Sequence, residues 1–166
     1  MRAFSDASYV DGEGVAGIGV VLDKGLKTTI VSNWIPCCDI NYAELFAIYI
    51  AGILLGGKGT VYTDSQAAIE YIKGNITEER PRTKEQYIRY QQNKVLAYKI
   101  RKLDLEIIKV KGHSKEFKMT ELNNNEADLQ ARKGVAKYRL FADQMFDRWE
   151  WLTAGNYFKI GAWFFY

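Results

Sequence analysis

The chain has few of the residues that staple or metallate small proteins. It holds two cysteines and one histidine in 166 residues. The cysteines, Cys37 and Cys38, are adjacent. Neighbouring residues make a poor disulfide pair, and two thiols without nearby histidines make no zinc site. They read as reduced thiols of an intracellular, cytoplasmic protein. The N-terminus has no charged-then-apolar signal segment. No run of about 18 apolar residues suggests a membrane span. Repeats and low-complexity tracts are absent. What is present is ordinary for a globular protein: 48% hydrophobic and 26% charged residues. That is enough chain for one domain with an appendage, and enough to bury a core without staples.

The net charge of +3 is unevenly spread. Residues 1–79 carry −5, residues 80–118 carry +8 and residues 119–166 are neutral. The acidic part supplies candidate site carboxylates. The basic part is either the footprint of a polyanion or a solvated helix face.

Taken in order, Arg2 to Ser5 reads as a strand with Asp6 just after it. Val15 to Leu22 is apolar and broken by glycines, and reads as a second strand. Asp23-Lys24-Gly25 is a turn signal. Thr28 to Trp34 is β-branched and makes a third strand, ended by Pro36. Short turns between these three imply an antiparallel meander. Asn41, a good N-cap with Glu44 three residues later, opens a helix to about Leu55. Its body is apolar nearly all round, the pattern of a buried helix, and Gly56-Gly57 ends it. Val61 and Tyr62 form a short strand, with Asp64 at its carboxyl end and a helix from Ser65 to Ile72. Gly74 closes that helix. Lys84 to Arg101 reads as a basic amphipathic helix, and Leu105 to Val110 as a fifth strand. Asn124 or Asn125 caps a last helix toward Phe141. The order β-β-β-α-β-α-α-β-α predicts an α/β fold with a mixed five-stranded sheet flanked by helices. Three strands are antiparallel, and strands one, four and five are parallel through right-handed crossovers.

If strands one and four are neighbours, Asp6 and Asp64 lie side by side at the sheet edge where α/β proteins bind ligands. Glu44 and Asp128 are on helices near that edge. No lysine or arginine stands beside any of the four in sequence, so the carboxylates would repel one another in low dielectric. Hard divalent cations relieve that repulsion. Oxygen-only ligands favour Mg²⁺, or Mn²⁺ as a substitute, over zinc. Two such ions, about 4 Å apart, stabilise both oxygens of a phosphoryl transfer. Each residue also has a plainer reading. Asp64 caps the following helix, Asp6 is a turn acid, and Glu44 completes a capping box with Asn41. Asp128 complements a helix dipole, and His113 is a surface residue.

Five segments, Phe4-Ser5-Asp6-Ala7-Ser8, Asn41-Tyr42-Ala43-Glu44-Leu45, Tyr62-Thr63-Asp64-Ser65-Gln66, Val110-Lys111-Gly112-His113-Ser114 and Asn124-Asn125-Glu126-Ala127-Asp128, resemble the motifs of type 1 ribonuclease H in order, spacing and context. The resemblance spans roughly residues 1–138. It implies an RNase H-like fold and an endonuclease that cuts the RNA strand of RNA–DNA hybrids, using two Mg²⁺ ions and leaving 5′-phosphate and 3′-hydroxyl ends. By this resemblance Asp6 bridges both metals. Glu44 and Asp64 complete one metal's shell or position the water, and Asp128 holds the other metal. His113 assists proton transfer or product departure. Ser8, Asn41, Ser65 and Gln66 approach the hybrid, which the family tells from DNA by 2′-hydroxyl contacts and groove shape.

Two regions depart from the family. Some members carry a longer, tryptophan-rich basic protrusion between the positions of Gly74 and Leu105; this segment has no tryptophan. Arg80, Arg82, Lys84, Arg89, Lys94, Lys99, Arg101 and Lys102 are candidates for a reduced version of its phosphate contacts. The final 26 residues hold ten of the 23 aromatics, among them Trp149, Trp151, Tyr157, Phe158 and Trp163 to Tyr166. This extension, 141–166 beyond a catalytic domain of 1–140, reads as packing back on the domain or as a surface for a protein partner or self-association. It is too short and too broken by Lys159 and Gly161 for a membrane anchor. No hybrid-binding module is expected before Met1. Two alternative functions are a related nuclease or strand-transfer domain acting on DNA, and a binding module without catalysis. His113 and the motif order argue against the first, and the complete set of four acids against the second.

Overall fold

The computed structural model describes residues 1–37, 39–76, 83–112 and 118–153, with side chains through residue 145. Among the described residues nine elements follow one another. They are β1 (Arg2–Val10), β2 (Val15–Asp23), β3 (Thr28–Pro36), α1 (Ile40–Leu54), β4 (Lys58–Thr63), α2 (Gln66–Lys73), α3 (Lys84–Arg101), β5 (Asp104–Lys109) and α4 (Met119–Thr153). The strands form one sheet in the order β3-β2-β1-β4-β5. β1, β2 and β3 pair antiparallel, whereas β1, β4 and β5 pair parallel, as the element order predicts. The β2–β3 turn closes locally. Asp23 Oδ1 accepts the Gly25 N–H at 3.0 Å, and Gly25 takes a φ of 83°, where a side chain would be strained.

One sheet face carries α1 and α3. Ala3, Ile18, Val20 and Leu22 meet Leu45, Ile48 and Ala51 of α1 and Leu96, Ala97 and Ile100 of α3. Burying each Leu or Ile there is worth about 1.5–3 kcal/mol. The cover is incomplete. Ile53 and Leu54 of α1 are exposed, so this helix is not buried all round. Of the apolar residues of α3, Leu96 and Ile100 face the core, while Tyr87, Ile88, Val95 and Tyr98 face outward. The helix was expected from its composition; which of its apolar residues the core takes is set by where α1 lies.

The other face carries α4, and it explains the glycines of β2. A Cβ on Gly17 would fall on the Ala131 carbonyl, and one on Gly19 on that of Ala127. Gly134 of α4 lies equally close to the Asn33 carbonyl. Strand alternation puts Gly17 and Gly19 on this face, so helix and sheet meet backbone to backbone. The helix is also longer than the sequence suggested. It begins at Met119, where the Lys118 carbonyl accepts from Glu121 and Leu122 N–H groups (both 3.0 Å). Asn124 and Asn125 are therefore interior residues, not caps, and Asn124 is buried against the sheet. At the other end α4 continues without a break through residue 140 to Thr153. The edge strand β3 holds it there. Trp34 packs on Tyr138 and Phe141, with ring centroids 5.1 and 5.2 Å apart, and Lys137 Nζ donates to the Ser32 carbonyl at 2.7 Å.

Candidate active site

The parallel half of the sheet builds the site. β1 pairs with β4 from Arg2↔Thr60 to Phe4↔Tyr62. Two more residues in the same register bring Asp64 beside Asp6. There β4 has ended, while β1 runs on against β2 to Val10. Asp6 is thus inside a strand, opposite Gly19, and not just beyond it as the short apolar run suggested. The hairpin with β2 supplies the pairing that extends β1.

Glu44 reaches the same edge from α1. The cap of α1 is Asp39, not Asn41: its carboxylate accepts the Asn41 N–H at 3.2 Å and the Asn93 Nδ2 of α3 at 2.7 Å. Asn41 is the second helical residue, and Glu44 is beyond the first turn, so the capping box drops out. The capping reading of Asp64 drops out too. Ser65 caps α2, its Oγ accepting the Ala68 N–H at 3.2 Å, and Thr63 Oγ1 accepts the Ser65 N–H.

Asp6, Glu44 and Asp64 each offer one carboxylate oxygen, and these lie within 4.8 Å of one another. Asp6 and Glu44 are only 6% and 7% exposed. Burial, then the Asp64 charge, pushes Asp6 up to about 7, against the pull of the Ala7 N–H that donates to its Oδ1 at 2.8 Å. Burial, then the charges of Asp6 and Asp64, pushes Glu44 up to about 9. Glu44 Oε2 has no hydrogen-bond partner among the described residues. Crowded acids raised in this way mark functional sites. The donor set is all oxygen, negatively charged and incompletely satisfied, which fits a hard divalent cation.

Asp128 comes from the third turn of α4, too far along the helix to serve its N-terminal dipole. It lies within hydrogen-bonding reach of Asp6 and raises its pKa, but does not join the 4.8 Å set. The expectation that no basic residue neutralises these acids holds for immediate neighbours only. Arg132, one turn on, donates to Asp128 Oδ2 at 2.9 Å. Reading immediate neighbours missed Arg132; the i, i+4 spacing was the available signal.

The other candidates are scattered. Ser8 is on β1, two residues past Asp6, and is half-buried. Gln66, exposed in the first turn of α2, donates from Nε2 to Glu70 at 2.6 Å. Arg101 is engaged internally, donating to the Tyr71 and Ile72 carbonyls at the end of α2. Lys94 and Lys102 lie over the Tyr90 and Tyr98 rings. His113, Arg80, Arg82, Cys38 and the aromatic side chains from residue 146 onward lie outside the described residues.

Among solved structures, the chain resembles RNase H1 from the halophilic archaeon Halobacterium salinarum (21% identity, TM-score 0.54), covering 82% of this chain and 97% of that one. The N-terminal RNase H domain of a Mycobacterium tuberculosis protein, fused to maltose-binding protein, is similar at 20% identity and TM-score 0.55, covering 85% and 98%. LC11-RNase H1, in complex with an RNA/DNA hybrid, matches at 20% identity and TM-score 0.54, covering 82% and 97%. At such identities the likeness establishes the fold. No curated protein sequence matches. The RNase H family model matches residues 1–136, which contain all five strands and the acids gathered at their ends. By that match this chain belongs to the RNase H family, and is a ribonuclease H hydrolase.

Proposed function

We propose that the protein hydrolyses the RNA strand of RNA–DNA hybrids, using two divalent cations, Mg²⁺ foremost, and leaving 5′-phosphate and 3′-hydroxyl ends. The observation that carries this reading is the triad of Asp6, Glu44 and Asp64, three carboxylates within 4.8 Å with Glu44 buried and incompletely bonded. Family membership supports it, and so does the hybrid bound to LC11-RNase H1. In this reading Asp6 would be shared between the two cations, Glu44 and Asp64 would complete the shell of one, and Asp128 would hold the other. Bound cations stabilise the charge on the attacking and leaving oxygens of the phosphodiester. Asp64 or Glu44 orients the attacking water, and His113 serves proton transfer or product departure. Ser8, Asn41, Ser65 and Gln66 contact the hybrid, and the lysines and arginines of α3 contact its phosphates, which makes binding salt-dependent.

The test is a cleavage assay on labelled hybrid, duplex RNA and duplex DNA with Mg²⁺ or Mn²⁺. The wild type should cut only the RNA of the hybrid, and Asp64→Asn should lose at least about a hundredfold in rate. Cleavage by Asp64→Asn at the wild-type rate removes the metal assignment. Cutting of duplex DNA points to the related nuclease instead. Tight, salt-dependent binding with no cleavage points to a binding module.

A further inference from the structure

Gly112 follows β5 by three residues and comes against Asp64. The register of β4 and β5 brings it there: Thr63 pairs with Lys109, and the Val110 N–H then donates to the Thr63 carbonyl at 2.9 Å. A Cβ on Gly112 would lie 2.6 Å from Asp64 Oδ2, 3.4 Å from its Cγ and 3.5 Å from its Cβ. Gly112 is not among the glycines with positive φ. Its backbone conformation is therefore open to any residue, and the three atoms nearest to an added side chain all belong to Asp64. An oxygen of the same carboxylate lies within 4.8 Å of oxygens of Asp6 and Glu44.

We infer that Gly112 is a positioning residue, whose missing side chain lets the Asp64 carboxylate stand where it joins Asp6 and Glu44. The inference rests on the proposed role of Asp64 as a metal ligand. An alanine at 112 would make Asp64 Oδ2 retreat by several tenths of an ångström. A short, partly exposed side chain does that by rotating, at little cost to the fold. A metal site is less tolerant, because ligands must be held to about 0.5 Å. Loss of a residue that orients a ligand costs roughly ten- to a hundredfold in metal affinity.

The experiment is a calorimetric Mn²⁺ titration of the full chain as wild type, Gly112→Ala, Asp64→Asn and the neighbouring control Lys111→Ala, alongside melting in EDTA. Gly112→Ala should melt near the wild type without metal yet bind Mn²⁺ roughly ten- to a hundredfold more weakly. Its half-saturating metal concentration for cleavage should rise, with KM for hybrid at saturating metal little changed. Lys111→Ala should bind as the wild type does. Wild-type affinity in Gly112→Ala overturns the inference. If Asp64→Asn has meanwhile lost binding, the reading of the site survives that failure. Undiminished binding in Asp64→Asn overturns both. Should Gly112→Ala fail to fold, Asp64→Ala/Gly112→Ala decides: folding of the double variant supports the inference, and failure there overturns it.

Discussion

Arg132 Nη2 lies 2.9 Å from Asp128 Oδ2, one turn further along α4, with the arginine largely exposed and the aspartate mostly covered. The pair sits beside the cluster of Asp6, Glu44 and Asp64, and among the described residues Arg132 is the cation paired with Asp128. An arginine there competes with any cation that approaches Asp128. Arg132→Gln should therefore tighten Mn²⁺ binding, by roughly two- to fivefold given the modest worth of exposed ion pairs. Calorimetric titration measures this; weaker binding in the variant would show that Arg132 assists the site and does not compete for it.

Acids raised by burial and mutual repulsion make the metal-free fold sensitive to alkali. The folded protein holds protons on Asp6 and Glu44 that the unfolded chain has already released. Stability is thus lost as pH rises above the ordinary carboxylate range, through about 7 for Asp6 and about 9 for Glu44. In EDTA the melting temperature should fall across that window, and Mg²⁺ should restore it most at the upper end. Glu44→Gln should flatten the profile. A profile in which wild type and Glu44→Gln run parallel would contradict the raised Glu44.

Asp64 and Ser65 are adjacent but serve opposite ends. Ser65 holds the start of α2, so Ser65→Ala should cost about 1 kcal/mol in urea unfolding. Asp64 is not the N-cap residue of α2, and it adds repulsion to Asp6 and Glu44. Asp64→Asn should leave metal-free stability at pH 8 unchanged or raised. A loss comparable to that of Ser65→Ala would return Asp64 to a structural role.

The glycines under α4 should tolerate nothing larger. Gly19→Ala would drive a methyl into the Ala127 carbonyl and the Ala131 N–H. Both obstacles are backbone, so relief requires lifting the helix, at roughly 3 kcal/mol or more. Gly12→Ala, at a turn with φ of 81° and open space around it, should cost only about 1 kcal/mol. Chemical denaturation of the two variants gives the comparison; equal costs would mean that α4 does not ride on the glycine face.

Much of this architecture is legible in the sequence because it depends on local spacing. The bounds of α3, Lys84–Arg101, follow from its composition, and the meander follows from its short turns. Asp6 and Asp64 can be set side by side from topology alone, since parallel strands present their carboxyl ends at one edge. The cap of α1 is less accessible. Asn41 looked suitable, but Asp39 is fastened by Asn93, 54 residues away.

Sequence alone determined the element order, the mixed sheet and the family, because periodicity, turn residues and motif spacing are properties of short stretches. Tertiary structure decided which of the candidate acids gather at one edge of the sheet. It moved Asp6 into a strand by extending the hairpin, and removed Asp64 and Glu44 from capping duty. It carried α4 past residue 140 along the edge of β3, and set Gly112 against Asp64. Most of these outcomes depend on groups far apart in the chain whose proximity arises only when the sheet is assembled. A sequence displays such groups without displaying the distance between them.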